Sequence, residues 1–556
     1  MIARLCRRAA PRGRAEELHR WGRKASQDVG TRGAAVRTRS TWLGWVLVGC
    51  LAGLLVGGPV GVGRAQAPGS AGMVRIGLDV DAGTGDPRFA LDSSAYRLGE
   101  LVYDGLVYLN NRQAPEPSLA SSWDTPTPTT WVFHLRRGVT FHDGQPFTAD
   151  DVVYTFETIL DPSSKAPYRS LYTPITKVEK VDAYTVRMTT SAPYAPLLSY
   201  LNIGIVPKHI GEKNDGSLAS HPVGTGPFRF VSWDRGSKIT LEANARYWGG
   251  APKVRGLVIN IVPDNSARAA AVEAGDLDFI HSPLSPQDVA RLRKSSNLIV
   301  TKMTGLGITY LNINTSVWPL SDVKVRQALA YLTDRQAIAA DIYQGMDQAA
   351  TSLLTPGLWA YTGSVRQPEY NPAKARALLQ EDGFTLQGGV YEKDGKPLAI
   401  ELWTHSEDPN RVQAVEFLQN AWQKYGFRVK VSTNEWPTFS SAVYASKHQV
   451  ALLGWLNIVD PDRLMFNQFT SNGGQNWEKY SNPTVDALLQ RGRTTLDRAA
   501  RAKIYQQAAQ ILANDQPYDV LLYQGYVVVQ SAQLHGFVPN PSGNLKTLDA
   551  VTLGGR

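Results

Sequence analysis

A chain of 556 residues with 43% hydrophobic content can bury more than one core, which excludes a single small domain. The formal charge of +9 points toward nucleic acid, but residues 1–67 hold twelve of the 58 Lys and Arg and only three of the 49 Asp and Glu. The rest of the chain is therefore neutral, and a nucleic-acid footprint is excluded for its body.

The basic leader runs into an uncharged apolar stretch, Trp42 to Val56, and then into Ala65-Gln-Ala67. That is the order of a secretory signal peptide, cut after Ala67 to release a periplasmic protein. Two competing readings stay open: a retained membrane anchor over residues 40–63, and a lipoprotein box ending at Cys50. Both cysteines, Cys6 and Cys50, lie in this leader, so the mature chain has neither disulfides nor thiolate metal sites.

Residues 73–79 read as a first strand, and residues 94–108 carry helical apolar spacing through Leu98, Leu101, Val102 and Leu106. Residues 131–136 alternate as a half-buried strand. Thr148 then stands where an N-cap is wanted, with Asp151 as its capping-box partner, and Val152, Phe156 and Ile159 form one apolar helix face. Gly224-Thr-Gly226 lies in a Gly/Pro turn that feeds a strand. It lacks the ending of a phosphate loop and reads as structural.

Further on, residues 268–274 form a helix stopped by Gly275 and followed by a strand to 280. Residues 308–314 form another strand, and Asp322 caps a helix bearing Val325, Leu329 and Leu332. Asn371-Pro372 opens a helix that Gly383 ends, and residues 410–425 make an amphipathic helix. Strands are expected at 398–403, 429–433 and 450–455, helices after Asn482 and Asp497, a last strand over 518–530, and a tail from 537. Strands alternating with helices throughout mean an α/β fold.

Reactive machinery is absent from the pattern. There is no His-Glu-x-x-His, Gly-x-Ser-x-Gly or P-loop, and the nine histidines show no pair at metal-ligand spacing, so no catalysis, metal or cofactor is expected. Ser321-Asp-Val-Lys324 matches the Ser-x-x-Lys of penicillin-binding hydrolases without its Ser-Asp-Asn and Lys-Thr-Gly companions. A serine hydrolase using Ser321 and Lys324 is the alternative from another class.

Several segments recur in one order: Asp86-Pro87, Val102-Tyr-Asp-Gly-Leu106, Ala120-Ser-Ser-Trp123, Phe141-His-Asp-Gly-Gln-Pro-Phe-Thr-Ala-Asp-Asp-Val152 and Pro222-Val-Gly-Thr-Gly-Pro-Phe228. In these the chain resembles, over residues 74–537, the family 5 extracellular solute-binding proteins, the dipeptide/oligopeptide/nickel-type receptors of ABC importers. The resemblance implies a two-lobed periplasmic-binding-protein-like fold of type II, with the extra domain of the dipeptide/oligopeptide-binding group. Its first lobe would comprise residues 68–305 and 521–556, with an extra subdomain at about 107–221, and its second lobe residues 306–520. The crossings near 305–309 and 521–524 would act as hinge.

The same resemblance implies a monomer without nucleic-acid partners. It would bind a peptide or other small solute, a metal chelate or glycan being the alternatives, and hand it to ABC permease subunits with their ATPase subunits. It places ligand contacts at Trp455, Leu456 and Asn457 and at Ser94 and Tyr96, while Tyr310, Trp403, His405 and Trp436 are further candidates for the aromatic and polar walls that such a site needs. Dipeptide binders of the family carry an aspartate three residues after that tryptophan, and this chain has Ile458. The segment 404–410 also lacks their carboxylate-binding arginine, which argues against a free dipeptide, because an ammonium buried without its partner costs about 3–5 kcal/mol. Arg411 reads as a solvated residue at a helix start.

Overall fold

The computed structural model describes residues 72–554. The leader, its two cysteines and the cut after Ala67 lie outside the described residues. No helix among those described is long and apolar enough to cross a membrane.

The architecture follows from two unusually long strands, Leu298–Ile313 and Tyr518–Ser531, which pair antiparallel through the middle of an eleven-stranded sheet. Outward from Leu298–Ile313 come Val450–Trp455, Ala399–His405 and Arg428–Asn434. Outward from Tyr518–Ser531 come Phe279–Ile280, Met73–Leu78, Gly256–Ile261, Lys238–Ala243 and Phe228–Asp234. The short strand Gln348–Ala349 pairs with Tyr523 and Leu522.

Each side has its own apolar interior. Ile308, Tyr310, Leu453, Val520 and Tyr523 line one core, and Leu311, Ile313, Leu402, Trp422 and Leu522 line a second on the opposite face. On the other side Val74, Ile76, Leu98, Phe228, Phe279 and Val528 pack together, beside a smaller cluster of Val272, Leu292 and Val529. A four-stranded antiparallel sheet, Ala120–Thr127, Thr130–Leu135, Thr185–Thr190 and Ile175–Asp182, carries a separate core with the helix Ala149–Leu160. In that helix the Thr148 N–H donates to Asp151 Oδ2 at 2.9 Å, and Val152, Phe156 and Ile159 are buried.

Where the long strands pass from one side to the other their register breaks, between Thr304 opposite Gly525 and Ile308 opposite Tyr523. Such a break bends and twists a strand pair locally. Glycine is required there by close approach, since a Cβ on Gly525 would stand 2.2 Å from the Met346 carbonyl oxygen. Gly224 meets a similar constraint, its Cβ falling 2.1 Å from the Val102 carbonyl oxygen. Gly224-Thr-Gly226 is thus a packing joint.

Three expectations need correction. The helix expected over 94–108 ends at Val102, and residues 107–109 form a strand. The reason is Asp104, whose carboxylate accepts from Thr225 Oγ1, Trp248 Nε1 and Lys546 Nζ at 2.9, 2.8 and 2.5 Å and draws the chain out of the helix. The strand expected at 308–314 begins ten residues earlier, because its first half pairs with residues 525–531. The tail from 537 is no tail: Phe537, Leu545, Leu548 and Val551 are buried in the core around Val74, and Leu534–His535 pairs with Thr552–Leu553.

Candidate ligand-binding cleft

Ala399–His405 runs parallel to both Arg428–Asn434 and Val450–Trp455, and Met73–Leu78 runs parallel to Gly256–Ile261 and Phe279–Ile280. Antiparallel pairing with the long strands, Trp455 opposite Ile308 and Ile280 opposite Val529, turns the carboxyl ends of both sets toward the register break. Open α/β sheets bind ligands outside the carboxyl ends of their strands. The crossing therefore gathers two such edges.

On the second side, the Trp455 ring stacks on Trp477 with centroids 6.1 Å apart, and Trp477 lies 4.4 Å from Tyr444. Leu456 is 65% exposed and Asn457 takes a left-handed φ of 51°, so the chain doubles back after the tryptophan. The Ile458 N–H then reaches the Leu306 carbonyl at 3.3 Å, and its side chain enters the core with Leu464 and Met465. Asp460 Oδ1 accepts from the Asp462 N–H and caps the helix Pro461–Phe469. That carboxylate is clamped by two Arg501 bonds, of 2.8 and 3.1 Å, and by Ser199 Oγ at 2.9 Å.

His405 and Trp436 meet edge to face at 5.2 Å. Glu407 joins them: one oxygen accepts from the Trp436 N–H at 2.7 Å and the other bonds His405 Nδ1 at 2.9 Å. The Trp436 N–H holds the Glu407 carboxyl below the usual range. Trp403 packs half-buried behind this group, and among the described residues its indole N–H is buried without a partner. Tyr310 lies deeper, 1% exposed and stacked 4.1 Å from Tyr518.

Across the crossing, Ser94 is buried and spends its hydroxyl on the Val80 carbonyl at 2.7 Å. Tyr96 is half-buried with its ring 6.0 Å from Tyr168, over which the Arg463 guanidinium sits at 5.2 Å. The structure thus brings Trp455, Leu456 and Asn457 into one group and His405 with Trp436 into another. Tyr96 stands apart on the opposite side, and Tyr310 and Ser94 are interior.

Three residues escaped the sequence reading. Arg411, read as solvated, is largely buried: it pairs with Asp408 at 3.2 Å and donates to His405 Nε2 at 3.0 Å. Its second Nη lies flat on the strand, where a Cβ on Gly454 would stand 2.5 Å away. Gln524 donates to the Ile308 carbonyl and to Thr309 Oγ1, at 3.1 and 3.3 Å. Asp347 accepts the Gly525 N–H at 2.9 Å, and burial pushes its carboxyl up to about 6. With Lys302, Thr304, Gln336 and Gln348 it lines a cavity of about 360 Å³ at the crossing. Paired glycines at 305, 307, 454 and 525 were the available signal.

Glu100 yields a pH prediction. Burial raises its carboxyl to about 7, although it accepts from Asn544 Nδ2 and the Leu545 N–H. Between the unfolded value of 4.5 and about 7 the folded state binds the extra proton, so this contribution to stability is complete below the lower value. It is lost as pH rises through about 7. Glu100→Gln is expected to remove that decline in denaturant titrations run from pH 5 to 8.

Ser321 shares no hydrogen bond with Lys324 among the described residues, and the Lys324 ammonium donates to Glu381 at 2.9 Å. Those residues also contain no group of three or more His, Cys, Asp or Glu able to hold a metal ion.

Comparison with known proteins agrees with this geometry. The family model described as bacterial extracellular solute-binding proteins, family 5, middle, matches residues 114–477. The dipeptide-binding protein of Escherichia coli (strain K12) is 30% identical over 463 residues, covering 77% of this chain and 84% of that one. Heme-binding protein A of Haemophilus influenzae is 31% identical over 488 residues, covering 82% and 88%. Among solved structures, the oligopeptide-binding protein AppA of Bacillus subtilis, in complex with a nonapeptide, superposes with a TM-score of 0.70 at 27% identity, over 87% of this chain and 99% of that one. The fold is the two-lobed α/β fold of periplasmic binding proteins, and these relatives are solute-binding proteins. The chain belongs to the family 5 bacterial extracellular solute-binding proteins.

Proposed function

We propose that this protein is the exported solute receptor of an ABC importer, released by cleavage after Ala67, and that it takes peptides or peptide-like solutes. Its first lobe comprises residues 68–305 and 521–556, its second residues 306–520, and the register break in the long strands is the hinge. The observation that carries the reading is that two separately cored halves, joined by two strands, turn strand carboxyl ends toward that break. The peptide-named relatives and the nonapeptide complex support the solute class.

Ligand binds the open form through one lobe and touches both only after closure. Its differential affinity then shifts the population to the closed form, which the permease subunits read. Trp455, Leu456 and Asn457 offer backbone to an extended guest as an added strand would, while Tyr96, His405 and Trp436 supply side walls. Ile458 and the segment 404–410 argue against a free dipeptide. A second reading, a flat chelate, draws on the heme-binding relative and on Trp436, which is 41% exposed.

Native mass spectrometry of the protein purified without denaturation, paired with small-angle scattering before and after ligand removal, tests this. A copurified peptide and a larger radius of gyration in the emptied protein are expected. A rigid particle with no guest, or a guest that is a free dipeptide, would overturn the corresponding part.

A further inference from the structure

The small four-stranded unit does not stand clear of the second half of the chain. Its segment 194–200 places Tyr194, Leu197 and Tyr200 in the unit's own core and also reaches outward. Ser199, 5% exposed, donates its hydroxyl to the fully buried Asp460 at 2.9 Å, and the Ala195 N–H donates to the Arg493 carbonyl at 2.9 Å. The Arg493 guanidinium lies 5.6 Å from the Tyr194 ring, and that of Arg463 lies 5.2 Å from Tyr168. Val459 packs against the small unit's core, although Ile458 and Leu464 belong to the core of the second half. Arg498 adds a bond of 3.1 Å to the Arg112 carbonyl. All of this joins the halves without using the two long strands.

The division of charge across these contacts is one-sided. Asp460 is held by Arg501 and Asp462 by Arg493, the latter at 2.7 and 3.0 Å, so the ion pairs close within the second half. What the small unit brings is neutral: a hydroxyl, an amide N–H, a carbonyl and two rings. Parting the two faces therefore strands no ion, whereas pulling apart a cross-face salt bridge would. Polar contacts of this kind between domains of one chain permit relative motion, as large apolar ones do not.

We propose that this contact is a latch, made when the lobes close and released when they open, with Ser199 as a positioning residue acting through Asp460. This rests on the two-lobed receptor reading and adds a part to it. Bonds between protein groups then stabilise the closed form alongside the guest, and the latch sets how much closed form exists before a guest arrives. Because Asp460 also caps the helix Pro461–Phe469, the same bond steadies the turn that carries Leu456 and Asn457.

The test uses the wild type and Ser199→Asp, each as purified and after the guest has been stripped by partial unfolding and dialysis. Small-angle scattering gives the radius of gyration, and hydrogen exchange gives the protection of the Ala195 amide. A second carboxylate against Asp460 is expected to raise the ratio of open to closed form about a hundredfold. The stripped variant should therefore be at least as extended as the stripped wild type, with its Ala195 amide unprotected. It should still melt within about 5 °C of the wild type, because the new carboxylate meets water once the faces part. Across the four samples, Ala195 protection should fall as the radius rises. A compact variant, a folded variant that melts lower than this, or an Ala195 amide still protected in an expanded particle overturns the proposal.

If Ser199→Asp yields no folded protein, Ser199→Ala decides. The Ala195 amide should then exchange about tenfold faster than in the wild type, with the amides of residues 130–135 unchanged. An unchanged Ala195 rate overturns the latch. A wild type that expands on losing its guest while Ala195 stays protected keeps the receptor reading and removes the latch. Expansion of Ser199→Asp in a protein that carries no guest keeps the latch and removes the receptor reading.

Discussion

Replacing Arg501 with methionine is expected to lower the stability of the protein by about 3–5 kcal/mol, among the largest losses available to one surface-remote substitution. Asp460 is fully buried and the Arg501 side chain is 5% exposed, so the pair sits out of water. Removing only the cation leaves a carboxylate with Ser199 Oγ and the Asp462 N–H for company, too little to offset its lost hydration. The double variant Arg501→Met with Asp460→Asn should regain part of the loss, since neither partner is then a stranded ion. Urea unfolding followed by circular dichroism reads both. A single variant as stable as the wild type would mean that the clamp on residues 456–460 contributes nothing. Because that clamp fixes the turn carrying Leu456 and Asn457, ligand affinity should fall alongside stability.

Ile458→Asp is the second large effect, and its expected direction is opposite to what family comparison suggests. Restoring the acid that dipeptide binders carry should confer no affinity for free dipeptides and should cost about 3–5 kcal/mol. In this structure the residue points away from the cleft, 2% exposed among Leu464, Met465 and Phe469, with its N–H tied to Leu306. A carboxyl placed in that apolar core loses its hydration, and burial would drive its pKa upward until it sheds its charge. Titration of dialanine into the variant, with a denaturant midpoint measured alongside, separates the outcomes. Dipeptide binding gained at unchanged stability would show that the loop can invert, and that ligand choice is set by this one side chain.

Local features were readable where neighbours in sequence decide them. Thr148 with Asp151, Asn371 before Pro372, Asp322, Asn482 and Asp497 cap their helices as expected, because a cap needs only a side chain and the N–H groups two or three residues on. Val450–Trp455 has the bounds expected of it for the same reason: a short apolar run between turn residues. The candidate cleft was legible in part. The aromatic groups at 403–405, 436 and 455 stood out, whereas Arg411 did not, since an arginine on a helix looks the same whether its head meets water or a strand.

What the chain determined by itself was the α/β succession of elements, the neutral balance of charge and the absence of cysteine from residue 68 onward, and the family-like segments, all consequences of residue type and short spacing. Tertiary structure alone decided where the helix after Ser93 ends, how far the strand before Ile313 extends, and that the last residues complete a core. It also decided which arginines are satisfied. Each of these depends on partners hundreds of residues away, such as Lys546 reaching Asp104 and residues 525–531 pairing with 298–304, and contacts of that range leave no period or motif in a local window.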